Sequence, residues 1–293
     1  MRIRFMLAGV VVGTAAGIAV SRVRRWWRSW GIDPDEARRP LPGDGIVAEP
    51  VASETRGITI DATPDQIWPW LVQMGFGKAG WYSYDRLDQR GQSADGIVEA
   101  WQGLTLGDIV PTHPGGGFEV VEMVPDQALV LRSDTALVKA QADAWAKKTA
   151  ASKKTDATEM PIETSTAGLA ASGAILGQTP QQFSASWSFV IEPIGGGRSR
   201  LIERFRVWYG ESGMASHVVM PVVGFGVFVM MQRQMVGIRT RAERLAAERS
   251  RTVTPATSVA PIEPRPVGEP MTPAKNGRDT KAEGPELATA SVD

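Results

Sequence analysis

The sequence predicts an α+β fold: an antiparallel sheet built from hairpins, a long C-terminal helix, and one N-terminal transmembrane helix. Three observations carry this. First, two pairs of alternating, β-rich runs each flank a turn: Phe118–Val124 with Ala128–Arg132 around Pro125-Asp126-Gln127, and Ser186–Ile191 with Arg200–Tyr209 around Pro193 and Gly195-Gly196-Gly197. Second, the stretch from about Ala215 to Arg249 opens apolar and continues amphipathic and charged from Arg233, the pattern of a long helix. Third, Phe5–Val20 is an apolar run without a charge, bracketed by arginines.

The N-terminal run covers roughly 24 Å as a helix, against a hydrocarbon core of about 30 Å. Flanking arginines can snorkel to make up the shortfall. Arg2, Arg4, Arg22, Arg24, Arg25 and Arg28 all precede Trp30, with no acid among them. Trp26, Trp27 and Trp30 follow the run, and tryptophan favours the bilayer interface. A cleaved signal peptide is the rival reading, with a weak small-residue site at Gly17 and Ala19. The dense arginines just after it argue against export. More arginines follow the span than precede it, so a single-pass protein of the cell membrane with a cytoplasmic domain is expected.

Residues 1–30 are thus read as the membrane anchor with its basic, Trp-rich flank. Residues 31–54, with Pro34, Pro40, Pro42 and Pro50, read as a linker. The folded domain is placed at 55–249. It opens with an alternating strand, Thr55–Asp61. A helix follows with Thr63 as N-cap, Pro64 at its first position and Gln66 closing a capping box; Ile67, Trp70, Leu71 and Met74 form its apolar stripe. A polar, low-complexity insertion is expected at about 135–182, with a helix near Ala136–Ala151, and a disordered tail at 250–293. Ala215–Met231 reads as a helix buried against the sheet; as a second span it would carry Arg233, Arg239, Arg241 and Arg244 outward, against the positive-inside rule.

Composition narrows the chemistry. The 293 residues carry 32 basic and 32 acidic side chains, so no global field draws nucleic acid. The absence of cysteine excludes disulfides, thiolate–metal sites and a thiol nucleophile. The two histidines, His113 and His217, lie far apart and supply neither a His-rich metal site nor a catalytic triad. The glycine triplet lacks the GxxxxGK[ST] pattern of a phosphate loop and reads as a turn. No cofactor, metal or catalytic residue is assigned.

The element order (strand, helices, antiparallel strands, long C-terminal helix) is that of a helix-grip fold. The motifs resemble the START-like superfamily known as SRPBCC, which includes polyketide cyclases, aromatase-like proteins and lipid-transfer proteins, and are especially similar to uncharacterised actinobacterial members. The resemblance is carried by Leu41-Pro-Gly-Asp44, Thr55-Arg-Gly-Ile-Thr-Ile-Asp-Ala62, Trp68-Pro-Trp-Leu-Val-Gln-Met-Gly75 and Gly80-Trp-Tyr-Ser-Tyr-Asp85. It continues in Gly116-Gly-Phe-Glu-Val120, Ala128-Leu-Val-Leu131, Trp187-Ser-Phe-Val-Ile-Glu-Pro193 and Met235-Val-Gly-Ile-Arg-Thr-Arg-Ala-Glu243. It spans about 33–134 and 183–245; the insertion departs from the pattern. What the resemblance implies is a curved sheet around the C-terminal helix, with a cavity between them for an apolar molecule.

Trp81, Tyr82 and Tyr84, with Trp70 before and Trp101 after, form the densest aromatic cluster. They are candidates to line a pocket or, equally, to glue helices to the sheet. Tyr84 beside Asp85 is a possible proton donor. Arg204 and Arg206 share one sheet face; inward they would hold a carboxylate or phosphate, outward they would be solvated. His113 sits in a Pro/Gly loop. Gly224, Gly226 and Gly237 either leave room for a ligand or allow close helix packing. The reading that follows is a membrane-tethered domain binding an apolar small molecule or lipid, as carrier or sensor. The alternatives are a cyclase or dehydratase on the same fold, and a tethered interaction module without ligand. A buried acid–base pair would favour the enzyme; a purely apolar cavity would favour the carrier. Protein partners are not indicated.

Overall fold

A computed structural model describes residues 26–88, 91–152, 182–210 and 216–253. The span expected at Phe5–Val20 lies outside these, as does the tail expected at 250–293 apart from residues 250–253, which are not disordered but continue the C-terminal helix. Among the described residues no helix is long and apolar enough to cross a membrane.

The chain runs α1 (Pro34–Arg38), β1 (Ala52–Ile60), α2 (Pro64–Gln73), α3 (Asp85–Asp88), β2 (Ile109–His113), β3 (Gly116–Val124), β4 (Ala128–Asp134), α4 (Thr135–Ser152), β5 (Phe183–Gly195), β6 (Arg198–Tyr209) and α5 (Ser216–Val253). Six strands form one antiparallel sheet in the order β1-β6-β5-β4-β3-β2. β2 to β6 pair with their sequence neighbours, and β1 closes onto β6. Both predicted hairpins are present with longer strands. β2 has no counterpart in the sequence reading, which took Pro111–Gly117 for a loop. As the edge strand β2 tolerates Pro111, whose carbonyl accepts the Phe76 N–H at 2.6 Å.

The sheet curls strongly. Phe118 on β3 and Phe205 on β6 are three strands apart, roughly 14 Å at normal strand spacing. Their ring centroids nevertheless lie 6.4 Å apart, and both rings stand edge-on to Trp187 of the intervening β5. On this concave side Ile60, Leu129, Leu131, Phe189, Ile191 and Leu201 are buried with Ile67, Trp70 and Leu71 of α2. α5 contributes Met231, Met235, Ile238 and Ala242, spaced by four, three and four residues along one helix stripe. The start of α2 follows expectation: Thr63 and Gln66 form the capping box, in which Gln66 Oε1 accepts the Thr63 N–H at 2.9 Å, and the Thr63 hydroxyl also donates to Asp65.

Two sequence expectations are corrected. Residues 31–54 are not a free linker. Asp33 caps α1 through its carboxylate, Leu41 and Val47 are buried, and Leu41 packs with Val190 and Ile202 on the convex face. The prolines set the turns, but the apolar residues between them had a sheet face to cover. Nor are all three tryptophans left for a bilayer. Trp27 is buried against Phe225 and Phe228 of α5, and Trp30 packs on the core. Trp26, 56% exposed, is the one still open to solvent.

Within the insertion, the helix is α4. Asp134 accepts the Leu137 N–H at 2.8 Å, and Gln141 accepts the Gly117 N–H at 3.0 Å, so the helix docks on the β2–β3 turn. Residues 153–181 lie outside the described part.

Candidate functional site on the concave face

Strand alternation decides which side chains face α5. On β1 the inward set is Glu54, Arg56, Ile58 and Ile60; on β6 it is Leu201, Glu203 and Phe205. This places three charged residues inside. Arg56 and Glu203 are direct cross-strand partners, and Glu54 lies opposite Phe205.

The Arg56 side chain is fully buried. It forms an ion pair with Glu54, directs Nη1 at the Met231 sulfur at 3.0 Å, and stacks over Phe228 at 5.4 Å. Glu203 is also fully buried. Its Oε1 accepts the Trp187 indole N–H at 2.7 Å. Its Oε2 and the Nε of Arg56 have no partner among the described residues. Burial pushes the Glu203 carboxyl well above the usual carboxylate range; Arg56 and the Trp187 hydrogen bond pull it back less strongly, and Glu54 adds to the rise. Beside this polar pole stands an aromatic wall. Trp81 stacks on Trp187 with centroids 5.3 Å apart and planes at 15°. Phe118 and Phe205 flank Trp187 and are only half-buried.

The other aromatic candidates are distributed differently. Trp70 is in the core of α2 and meets Tyr82 edge-on. Tyr82 is 2% exposed; its hydroxyl donates to the Trp70 carbonyl at 3.0 Å and accepts from Gln73 Nε2 at 3.1 Å. Burial raises its phenol pKa, and the Gln73 hydrogen bond and Arg241 pull it back less strongly. Its backbone is left-handed, with φ of 56°, and lies so close to α5 that a Cβ on Gly237 would stand 2.1 Å from the Tyr82 carbonyl oxygen. Gly237 therefore serves close packing. Gly224 does likewise for Trp27, whose ring would be 3.1 Å from an added Cβ. Tyr84 is 40% exposed, and Trp101 is half-buried at the core margin. The neighbouring Asp85 accepts from Ser93 at 2.5 Å. A cleft of about 160 Å³ between α5 and the Tyr82–Ser93 segment is lined by Ser83, Asp85, Arg233, Thr240 and Arg241 among others, well below the roughly 300 Å³ of ordinary ligand pockets.

Arg204 and Arg206 do not belong to a concave-face pocket, and the pocket assignment is corrected here. They point to the convex face, yet they are not solvated strand residues either. Arg204 is 3% exposed and is held by Asp44 at 2.7 Å, Thr55 at 2.9 Å and the carbonyls of Ala37 and Arg39. Arg206 pairs with the other oxygen of Asp44 at 3.0 Å. Their ligand is the chain's own N-terminal segment. The residues that the sequence reading missed, Glu54, Arg56, Glu203 and Trp187, had one available signal: parity. If Arg204 and Arg206 face outward, Glu203 and Phe205 must face inward.

No protein-family model matches the chain, and no curated protein matches it either. Solved structures do. A conserved protein from Geobacillus kaustophilus is similar at 11% identity over 66% of this chain and 96% of its own, with TM-score 0.35. A Mesorhizobium loti protein is similar at 10% identity over 67% and 98%, with TM-score 0.30. The Zhui aromatase/cyclase from a Streptomyces species is similar at 12% identity over 71% and 99%, with TM-score 0.24. The class rests on the architecture itself: an α+β chain whose curled six-stranded antiparallel sheet and C-terminal helix are compatible with the helix-grip fold.

Proposed function

We propose that this protein binds an apolar small molecule or lipid against the concave face of its sheet, as a carrier or sensor tethered to a membrane through Phe5–Val20. One observation supports the ligand site above all: a buried polar pole, Glu54, Arg56 and Glu203, keeps unpartnered valences beside an aromatic wall. A buried polar group without a partner costs about 1–3 kcal/mol, and two such atoms on facing residues of one sheet, Arg56 Nε and Glu203 Oε2, support a ligand that satisfies them. The tether rests on the arginine-flanked apolar run.

A second reading has its own observation. Glu203 holds its proton to unusually high pH in a desolvated site, as a general acid must. A dehydratase or cyclase would use it to protonate a leaving hydroxyl or a carbonyl. Native mass spectrometry of the purified full chain, with extraction of whatever copurifies, tests the binding reading. A stoichiometric apolar molecule is expected. Absence of any such molecule, together with failure to bind the neutral apolar dye Nile red, would overturn it. Turnover of the extracted molecule that is lost in Glu203→Gln, with binding retained, would select the enzyme.

A further inference from the structure

Resting on that reading of the concave face, we infer that the head-group received there is neutral: a hydroxyl or carbonyl oxygen on a largely apolar body, neither a carboxylate nor an ammonium. The argument is a count of charges and valences at the pole. Arg56 is the one cation, and its counter-charge is already present in Glu54. Its Nη1 faces a methionine sulfur, its Nη2 bonds Glu54 and its plane covers Phe228, which leaves Nε as the guanidinium nitrogen with no partner at all. An incoming carboxylate would be buried without a cation of its own, which costs several kcal/mol after relaxation. An ammonium would face Arg56 directly and would need Glu203 to ionise.

A neutral oxygen meets neither obstacle. It can accept from Arg56 Nε and hydrogen-bond Glu203 Oε2, the two unpartnered buried atoms of the pole. Glu203 is kept in place for this by the Trp187 indole, which also forms the floor of the aromatic wall. The contrast with Gln73, another large polar group buried in this core, is informative. Its amide is closed by Tyr82, the Gly96 carbonyl, the Val98 N–H and Gln102, at 3.0–3.1 Å. That network is complete and structural; the Glu203 pole is open.

The experiment displaces Nile red from the full chain with decanol, decanoate and decylammonium at mildly alkaline pH, where decanoate is ionised. It is repeated with Glu203→Leu and Glu203→Gln. Decanol should be the strongest competitor. Glu203→Leu should weaken decanol roughly tenfold, the worth of one buried hydrogen bond, with each variant's own Nile red Kd entering the displacement. Glu203→Gln, which keeps a donor and an acceptor, should retain decanol. If Glu203→Leu does not fold, the wild-type ranking and Glu203→Gln decide. Decanoate or decylammonium binding as tightly as decanol overturns the inference, as does unchanged decanol affinity in Glu203→Leu or its loss in Glu203→Gln. If Nile red does not bind the wild type at all, the underlying ligand-site reading fails instead.

Discussion

At Glu203 burial and ionisation conflict. The unfolded chain titrates it in the ordinary carboxylate range, whereas the folded chain holds the proton to higher pH because the site is dry. The stability this group contributes is therefore full below the unfolded value and is lost as pH rises through the folded one. Arg56 opposes the effect and Glu54 reinforces it, and both are buried on the neighbouring strand. Glu203→Gln removes the titration and keeps the shape. Its Tm relative to wild type should climb from acid to alkaline pH, with the variant favoured at the alkaline end. A difference that does not change with pH would mean that Glu203 is already ionised in the native state.

At the scale of elements, the N-terminal segment behaves as a strap across the convex face. Arg200 bridges Glu36 at 2.8 Å and donates to the Gly31 carbonyl, and Gly57 N–H donates to the Trp30 carbonyl at 3.1 Å. Asp44 ties the strap to both Arg204 and Arg206. Removing one partner of a buried pair typically costs about 3–5 kcal/mol; the Asp44 side chain is 21% exposed, so about 2–3 kcal/mol is expected for Asp44→Ala. Urea unfolding measures this. Adding Arg204→Met should restore part of the loss, because the stranded charge is then gone. A single variant as stable as wild type would show that the Asp44 ion pairs contribute nothing to holding the strap. The strap was only partly legible in sequence: Asp33-Pro34 announces a helix start and the prolines announce turns, but no local pattern says that Leu41 lies over Val190 and Ile202.

For the whole molecule, the strap has a mechanical consequence for the proposed tether. The chain passes from Trp26 and Trp27 on α5, through Trp30 on the core, to the convex face, without a slack linker. Intact protein is expected to sediment with membranes and to resist carbonate extraction. Recovery of uncleaved full-length chain in the soluble fraction would reject the tether. Trimming should stop before Trp26, since a cut at Asp33 strips Trp27 and Trp30 from the core.

What the sequence determined by itself was the local order. Period-2 runs around Pro and Gly turns specified the β3–β4 and β5–β6 hairpins, and the capping residues and stripe of α2 specified its start and its buried face. The long C-terminal helix was equally legible, because these signals act between near neighbours. Only the tertiary structure decided which charges are inside. Strand parity limits Glu203 and Arg204 to opposite faces, but assigning those faces depends on what covers each one: α5 on the concave side, the strap on the convex side. Both are contacts between residues more than a hundred positions apart, and neither leaves a local trace in the chain. The arginines that looked available for a ligand are consumed by the strap, and the acid that drew no attention is the one left with an open valence.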